Sequence, residues 1–256
     1  MIALTEAIRQ RHSVRHYISR PLSPEIIQTL QEKIDACNRE GGLHIQLVVD
    51  EPKGFSGIMA YGSFSGVENY LVMAGRKSDD LDERVGYYGE QLVLLAQQLG
   101  LGTCWAGLSY RKVRHTYQLN PGEKIACMIA LGFPNDEGRH TKRKSIAEVS
   151  NAGPATPEWF VRGVEAALLA PTAVNQQKYY LEYLPPQGDE LPRMRATRRF
   201  SMVGYTQMDL GIVKLHLKLV LRPSVSFGSK PLARLNKKTA STWMRVRCFL
   251  LVWNAC

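Results

Sequence analysis

The chain has 256 residues, of which 45% are hydrophobic and 9% are aromatic, so it can bury a sizeable core and is not intrinsically disordered. No apolar run reaches about 18 residues, which argues against a transmembrane helix. The five cysteines are widely spaced and include no C-x-x-C pair, which argues against a disulfide framework and a structural zinc site. The N-terminal charges follow a short apolar stretch, the reverse of a secretory signal, so we expect a cytoplasmic protein.

The formal net charge of +10 suggests nucleic acid or a membrane surface until it is located along the chain. Residues 191–256 contain 13 Lys and Arg and a single acid, Asp209, whereas the first 190 residues carry a net charge of −2. The basic C-terminal quarter lacks aromatic residues at stacking spacing and a recognisable binding module. We therefore predict neither a nucleic-acid partner nor a membrane partner.

Local signals and hydrophobic periodicity predict the elements of structure. Ser23 before Pro24 is typical of an N-cap followed by proline at the first helical position, so a helix begins here and continues to about Asn38, where Gly41 and Gly42 stop it. The periodicity also predicts helices over residues 4–11, 82–99 and 158–169, and strands over residues 44–49, 70–74, 125–131 and 178–184. Loops, turns or linkers are expected over residues 54–66, 132–138 and 151–157.

A basic segment, RQRHSVRHY, follows the first helix. Its residues Arg11, His12, Ser13 and Arg15 combine two guanidinium groups with a hydroxyl, a set that can hold a phosphate. The alternative is a solvated basic turn. The run Lys142-Arg143-Lys144 could supply a second set of phosphate contacts, although a three-residue basic run on its own is more often an ordinary charged surface.

The segment GLGTCWAG at residues 100–107 combines glycines with two side chains, Cys104 and Trp105, that form a flat, partly apolar surface. It otherwise represents a tight connection between a helix and a strand. Cys104 has no evident His or carboxylate partner, which favours a packing thiol over a nucleophile. Glu90 on the preceding helix could orient another group or simply be exposed; it lies off the apolar face, which favours exposure.

The segment VEAALLAPTAVNQQKYY at residues 164–180 is the most informative part of the chain, because a helical apolar run ends in a proline, small residues and an amide cluster. Asn175, Gln176 and Gln177 offer donors and acceptors that suit the uracil-like edge of a flavin or a nucleobase. The alternative is an N-cap and a turn. The chain has no Walker motif, no G-x-G-x-x-G, no H-E-x-x-H and no G-x-S-x-G.

Together these segments resemble the FMN-dependent nitroreductase superfamily. The resemblance covers about residues 1–218 and rests on four blocks: RQRHSVRHY followed by PLSPEIIQTL, then GYYGEQLVLLAQQLGLGTCWAG, KRKSIAEV and LAPTAVNQQKYY. No block is decisive alone, but their joint occurrence is. The resemblance implies an α+β, nitroreductase-like fold with a central, mostly antiparallel sheet flanked by helices.

The order of the blocks is unusual for that superfamily. Most members carry an A-P-S-x-x-N segment soon after the R-S-V-R segment and lend it to a partner subunit across a dimer. Here it follows a linker, as in the subgroup labelled putative TM nitroreductase. We therefore expect a pseudo-dimer within one chain, in which residues 1–150 form the FMN-binding half and residues 158–218 supply the partner-like flavin contacts. Residues 207–219 faintly repeat the helix that ends near Leu101.

The resemblance also implies site residues. Arg11, His12, Ser13 and Arg15 would hold the phosphate and ribityl chain of FMN, and Arg143 and Lys144 would add charge. Cys104, Trp105 and Gly107 would lie near the isoalloxazine edge, and Pro171, Thr172, Asn175 and Gln177 would contact the flavin from the second half. No metal site and no catalytic side chain are implied, because the flavin itself carries the chemistry.

The implied function is an FMN-dependent oxidoreductase that uses NAD(P)H to reduce nitroaromatics, quinones or similar acceptors by ping-pong hydride transfer. The alternative is a non-catalytic flavin-binding protein or sensor with the same residues. The expected partner is a small-molecule electron acceptor, and the expected state is a monomer or a homodimer.

Two features depart from the family pattern. The usual Pro-Trp after the amides is Lys178-Tyr179 in this chain. After Lys218 the sequence no longer resembles the family, and residues 220–256 contain seven Lys and Arg but no Asp or Glu. Our hypothesis is that residues 219–256 form a basic tail that is aberrant, through a shifted reading frame, and poorly ordered.

Overall fold

The structure is a computed structural model, and it describes residues 1–56, 64–135, 142–187 and 191–221 together with the backbone of two strands at 225–227 and 241–246. The α-helices of these residues are α1 (Leu4–Gln10), α2 (Pro24–Gly41), α3 (Leu81–Gln98), α4 (Ile146–Val149), α5 (Glu158–Leu168) and α6 (Thr206–Val220). Short 3-10 helices lie at Pro52–Phe55 and Ala173–Asn175. Among the described residues, none of the helices has the length and apolar character needed to cross a bilayer.

The first sheet belongs to the N-terminal part of the chain. Its strands are β1 (Tyr17–Ile18), β2 (Gln46–Val48), β3 (Asn69–Arg76), β4 (Gly102–Ala106) and β5 (Glu123–Pro134). All pairings are antiparallel; the order is β1-β5-β3-β2, and β4 also pairs with β5. Ala130 of β5 faces Tyr70 of β3 on one side and Cys104 of β4 on the other, so the centre of the sheet lies there.

The second sheet belongs to the C-terminal part. It contains β6 (Tyr179–Leu184), β7 (Arg193–Arg198), β8 (Val225–Phe227) and β9 (Ser241–Val246), in the antiparallel order β6-β7-β9-β8. Two antiparallel sheets with helices packed against them make an α+β architecture, as predicted.

Helix α2 shows how the sequence sets its own boundaries. The hydroxyl of Ser23 accepts a hydrogen bond from the N–H of Ile26 at 3.4 Å, and Pro24 is the first helical residue. At the other end Gly42 adopts a φ of 57°, a left-handed conformation that glycine reaches without a Cβ penalty. Both predicted end signals are confirmed.

Helices α3 and α6 cross in backbone contact. A Cβ at Gly86 of α3 would lie 2.1 Å from the carbonyl oxygen of Met208, and one at Gly211 of α6 would lie 2.1 Å from that of Glu83. Only glycine allows this approach at either position. The crossing joins the two predicted halves of the chain, because α3 belongs to the first and α6 to the second.

All the predicted helices and strands are present, with ends shifted by one to three residues. Within residues 100–107, which the sequence alone leaves as a glycine-rich surface or a tight connection, Gly102–Ala106 form strand β4, which was not predicted. Several other short or polar elements were not predicted: β1, α4, β7, β8, β9 and the two 3-10 helices. Strand β7 has the sequence RMRATR, in which Arg193 and Arg195 alternate with the buried Met194 and Ala196.

The predicted basic tail and two predicted loops are described only in part. Residues 219 and 220 complete α6, and β8 and β9 extend the second sheet. The other residues of the tail beyond 221 lie outside the described residues, as do residues 57–63 of the predicted loop and 136–138 of the predicted turn.

Candidate functional site

The N-terminal basic segment lies against strand β4. The N–H of Val14 donates to the carbonyl of Thr103 at 3.0 Å, and Ser13 forms a parallel bridge with Thr103. Gly102 makes this contact possible, because a Cβ there would lie 2.6 Å from the side chain of Val14. The fold therefore brings residues 11–15 beside the strand that carries Cys104 and Trp105.

Cys104 is buried among the side chains of this segment. Burial raises the pKa of its thiol, while the charge of Arg15, a hydrogen bond with Ser13 and the charge of Arg11 act in the opposite direction. A buried thiol of raised pKa is a poor nucleophile, which agrees with the predicted packing role. Four predicted site residues, Arg11, Ser13, Arg15 and Cys104, thus lie together.

Arg11 has a buried guanidinium. Its side chain is 10% exposed, and its Nε has no hydrogen-bond partner among the described residues. Burial lowers the pKa of Arg11, nearby Glu90 opposes this effect, and the charge of Arg143 adds to it. Because a guanidinium stays protonated in proteins, Arg11 keeps its positive charge although it is buried, and the charge of the exposed Arg143 acts on it unfavourably.

His12 also has a buried ring nitrogen without a partner. Its Nδ1 lies 3.3 Å from the carbonyl oxygen of Gln10, whereas its Nε2 has no hydrogen-bond partner in the part of the chain that the structure describes. Buried polar atoms are nearly always paired in folded proteins. Adjacent orphan nitrogens on Arg11 and His12 therefore indicate that a polar ligand completes this region.

Glu90 of α3 is fully buried and contacts three other parts of the chain. Its Oε2 accepts a hydrogen bond from Nε1 of Trp105 at 3.2 Å, and its Oε1 lies 3.0 Å from Nε2 of His216 on α6. The same Oε1 lies 3.9 Å from Nε of Arg11. The other ring nitrogen of His216, Nδ1, lies 3.1 Å from the carbonyl oxygen of Ala166 on α5.

The prediction that Glu90 is exposed is wrong. Periodicity assigns one apolar face to α3, but this helix packs on the first sheet on one side and on α6 on the other. Its buried residues include Gly86, Gly89 and Glu90 as well as the apolar stripe. The sequence feature that could have indicated the burial of Glu90 is the pair of glycines. Gly86 and Gly89 mark a second buried face of α3, and Glu90 lies next to this face. His216, a lone histidine within an apolar helix, was not singled out.

The second-half segment has an unusual backbone. Val174, Asn175 and Gln177 have φ angles of 45°, 54° and 45°, in the left-handed region that non-glycine residues rarely adopt. Val174 is β-branched and 78% exposed, so burial of its side chain does not offset the strain. Strained backbone of this kind occurs preferentially at functional sites.

The amides of this segment bind the basic segment at residues 142–144. The Nδ2 of Asn175 donates to the carbonyl of Lys142 at 2.7 Å, and the Oε1 of Gln177 accepts from the N–H of Lys144 at 3.0 Å. In return the ammonium of Lys144 donates to the carbonyls of Gln176 and Gln177, at 3.0 and 2.9 Å. The two segments therefore form one hydrogen-bonded unit.

Asp209 of α6 supports the strained turn from behind. Its carboxylate accepts from the N–H of Ala173 at 2.9 Å and from Nε2 of Gln176 at 2.8 Å. Burial raises the pKa of Asp209 to about 6, against the effect of these two hydrogen bonds. The Oε1 of Gln176 is buried and has no partner among the described residues.

The remaining predicted residues border the same region. Thr172 accepts a hydrogen bond from the N–H of Gln177 at 3.0 Å through its hydroxyl, and Pro171 precedes it, half-buried. Gly107 ends the β4 segment, and a Cβ there would lie 2.6 Å from the ring of Tyr205. Tyr205 immediately precedes α6, so Gly107 also contacts the second half.

The structure therefore connects all the sequence-predicted segments. Residues 11–15 lie on β4, Arg143 acts electrostatically on Arg11, and the segment that contains Arg143 is hydrogen-bonded to residues 175–177. The amides of Asn175 and Gln177 bind protein atoms rather than pointing away from the chain. In the described residues, no cluster of three or more His, Cys, Asp or Glu is arranged to hold a metal ion.

Comparisons with known proteins identify solved structures that this chain resembles. A solved structure from Thermotoga maritima, described as a putative nitroreductase, is 20% identical to this chain. The match covers 96% of this chain and 94% of the Thermotoga chain, with a TM-score of 0.63. At this identity the match shows the fold, and it confirms the nitroreductase-like architecture. An FMN complex of a putative nitroreductase from Desulfovibrio desulfuricans is 18% identical over 61% of this chain and 99% of its own, with a TM-score of 0.49.

An FMN-dependent nitroreductase from Clostridium difficile is 17% identical over 56% of this chain and 92% of its own, with a TM-score of 0.44. A search of curated protein sequences found no match to this chain. The model of one protein family, described as "Putative TM nitroreductase", matches residues 3–221. This match spans most of the chain and both predicted halves. The chain belongs to that nitroreductase family.

Proposed function

We propose that this protein binds FMN and uses NAD(P)H to reduce a nitroaromatic, a quinone or a similar small acceptor. The observation that carries the proposal is the guanidinium of Arg11, which is buried beside the charge of Arg143 with an unpartnered Nε. A buried guanidinium is unfavourable unless an anion compensates it, and the positive charge of the exposed Arg143 adds to the unfavourable effect. The phosphate of FMN carries up to two negative charges and accepts several hydrogen bonds, so it suits this place.

The phosphate contacts come from two segments in this proposal. Arg11, Ser13 and Arg15 bind from the N-terminal segment, and His12 binds the ribityl chain through its unpartnered Nε2. Arg143 adds charge from the other side. Lys144 uses two of its three N–H donors on the carbonyls of the second-half turn, which leaves one for an anion.

The flavin ring would lie between β4 and the second-half turn. Cys104, Trp105 and Gly107 line one side of this space, with the indole of Trp105 fixed by Glu90. Pro171, Thr172, Asn175 and Gln177 border the other side. The side-chain amides of Asn175 and Gln177 are hydrogen-bonded to residues 142–144, so their role is to hold the turn in its strained form. Backbone atoms of the turn make the contacts with the ring.

The separate roles of FMN and of the protein chain follow from this arrangement. FMN, when bound, supplies hydride transfer between the nicotinamide and the acceptor. The chain binds the phosphate, orients the ring through β4 and the turn, and excludes water from one face. The same proposal includes ping-pong turnover with NADH or NADPH and a cytoplasmic location. It also includes activity as a monomer or homodimer, without a nucleic-acid or membrane partner.

The purified protein provides the test. We expect a yellow protein whose flavin absorbance bleaches when NADPH or NADH is added without oxygen, and recovers when a nitroaromatic or quinone is added. A yellow protein that bleaches no faster than free FMN would indicate a non-catalytic flavin-binding protein or sensor. A colourless protein that also fails to bind added FMN would overturn the proposal.

A further inference from the structure

The buried pair Glu90 and His216 has a proton count that its geometry determines. Nδ1 of His216 lies 3.1 Å from a backbone carbonyl oxygen, which only accepts, so Nδ1 carries a hydrogen. Nε2 lies 3.0 Å from Oε1 of Glu90. Two acceptor atoms repel each other at that distance, so a proton lies between Nε2 and Oε1. The pair therefore holds one proton and has no net charge.

This proton determines whether the positive charge of Arg11 is compensated by Glu90 or is available to bind an anion. Oε1 of Glu90, the oxygen next to His216, is also the oxygen that lies 3.9 Å from Nε of Arg11. With the proton in place, the negative charge of Glu90 is balanced by His216. Without it, the carboxylate would be an uncompensated buried anion, and Arg11 would be its nearest cation.

Few other ionisable groups face the pair in the described residues. Arg11 approaches Glu90 from the N-terminal segment, and β4 contributes Trp105, which is not ionisable, and Cys104, which lies near Arg11. Arg143 acts on Arg11 from the basic segment. Helix α5 contributes a backbone carbonyl, and its acid nearest to that position, Glu165, is exposed. Among the charged groups that act on Arg11, Glu90 has the largest effect, and His216 is hydrogen-bonded to Glu90.

We propose that Glu90 and His216 share one proton and thereby keep Arg11 free to bind the phosphate of the flavin. Both are positioning residues, since neither is placed in contact with the ligand and both act through Arg11 and Trp105. This inference rests on the proposed function. It further assigns a task to the second half of the chain, because His216 on α6 sets the charge at the N-terminal anion site.

Three variants separate this role from simple packing. In His216→Gln the amide still donates to Glu90 but carries no charge, so Glu90 becomes an uncompensated anion beside Arg11. In Glu90→Gln the amide accepts from Trp105 and donates to Nε2 of a neutral His216, so the site stays neutral. The double variant pairs two amides and is neutral again. Titration of each apoprotein with FMN, and with riboflavin, which lacks the phosphate, gives the readout.

We expect His216→Gln to weaken FMN binding about tenfold and riboflavin binding by less than about twofold. Adding Glu90→Gln should restore FMN affinity to within about threefold of the wild type, because it removes the unbalanced charge.

Other results would overturn the proposal. Equal losses for FMN and riboflavin, or a double variant no better than His216→Gln, would show a packing role alone. If the wild type binds neither flavin, the proposed function fails and the role in ligand affinity fails with it. Nitrogen NMR of histidine-labelled protein would still decide the proton count, with the His216 resonances assigned by their loss in His216→Gln. In the wild type these resonances must show a protonated Nδ1. In Glu90→Gln they must show that Nε2 has lost its proton.

Discussion

Arg11 combines a buried position with a permanent positive charge, an arrangement that costs free energy unless an anion compensates it. Glu90 lies near, but its Oε1 also faces His216, and its 3.9 Å separation from Nε of Arg11 exceeds hydrogen-bond distance. Arg143 adds repulsion. At the scale of single residues, this local excess of positive charge is the strongest indication of an anionic ligand.

Replacing Arg11 by glutamine should therefore weaken FMN binding by about 30-fold or more, the range expected when a charged hydrogen-bonding partner of a phosphate is lost. Riboflavin affinity should change by less than about threefold, because riboflavin has no phosphate. Arg9→Gln is the matched control, since Arg9 lies two residues earlier with its side chain 70% exposed. Fluorescence titration of both variants with both flavins measures the difference. Equal effects at Arg9 and Arg11 would contradict a phosphate site at Arg11.

The sequence allowed the basic residues to be predicted but not their partners. Arg11, His12, Ser13 and Arg15 form a dense local pattern that is visible without a structure. Glu90 and His216 lie 126 residues apart, and each resembles an isolated polar residue on its own helix. No local pattern indicates that two such residues meet, because their contact depends on how α3 and α6 cross.

That crossing is the main feature at the scale of elements. Gly86 and Gly211 remove side chains at the contact, so the backbones of α3 and α6 approach closely enough for Glu90 to reach His216. Ion pairs and hydrogen bonds on the same helix pair, such as that between Lys218 and the hydroxyl of Tyr87, add contacts further along α6. The helix contact thus positions the buried pair behind β4.

Gly211→Ala tests this contact with an unambiguous sign. Alanine is the better helix former by about 1 kcal/mol, so propensity alone predicts a more stable protein. The new Cβ would lie 2.1 Å from the carbonyl oxygen of Glu83, however, so we expect the free energy of unfolding to fall by about 2–3 kcal/mol. Urea unfolding followed by circular dichroism gives the value.

The matched control for that variant is Gly153→Ala. A Cβ at Gly153 has no neighbour within 4 Å, and the φ of this residue is not positive. Its free energy of unfolding should change by less than about 0.5 kcal/mol. A Gly211→Ala protein as stable as the wild type would show that the α3–α6 contact is looser than described.

The elements themselves were predictable to different degrees. Helix α2 carries explicit end signals at Ser23 and Gly42, and α3 and α5 have strong apolar periodicity, so their ends were predicted to within one to three residues. Strand β4 was not predicted, because its segment is short and rich in glycine. Its strand conformation comes from pairing with β5, which lies later in the sequence. Strand β7 depends likewise on its neighbours β6 and β9.

At the scale of the whole molecule, the two predicted halves share their interior. One apolar cluster joins Ala7 and Ile8 of α1 and Leu94 of α3 to Leu215 of α6. Met208 of α6 lies in the cluster that α2, α3 and the first sheet form. The resemblance implies that most members of the superfamily take the turn after an A-P-S-like segment from a second subunit, whereas in the site that we propose the same chain presents it. The late position of that turn in sequence thus has a structural consequence, because both sides of the proposed flavin site come from one chain.

A site closed within one chain predicts one FMN per chain at every protein concentration. Ultracentrifugation at flavin wavelengths should show FMN sedimenting with the mass of a single chain once dilution separates any dimer, because the turn at residues 171–177 stays attached through Lys144 and Asp209. The affinity for FMN should then be independent of the monomer–dimer equilibrium. Release of FMN in step with dissociation, or one FMN for every two chains, would show that a second copy completes the site.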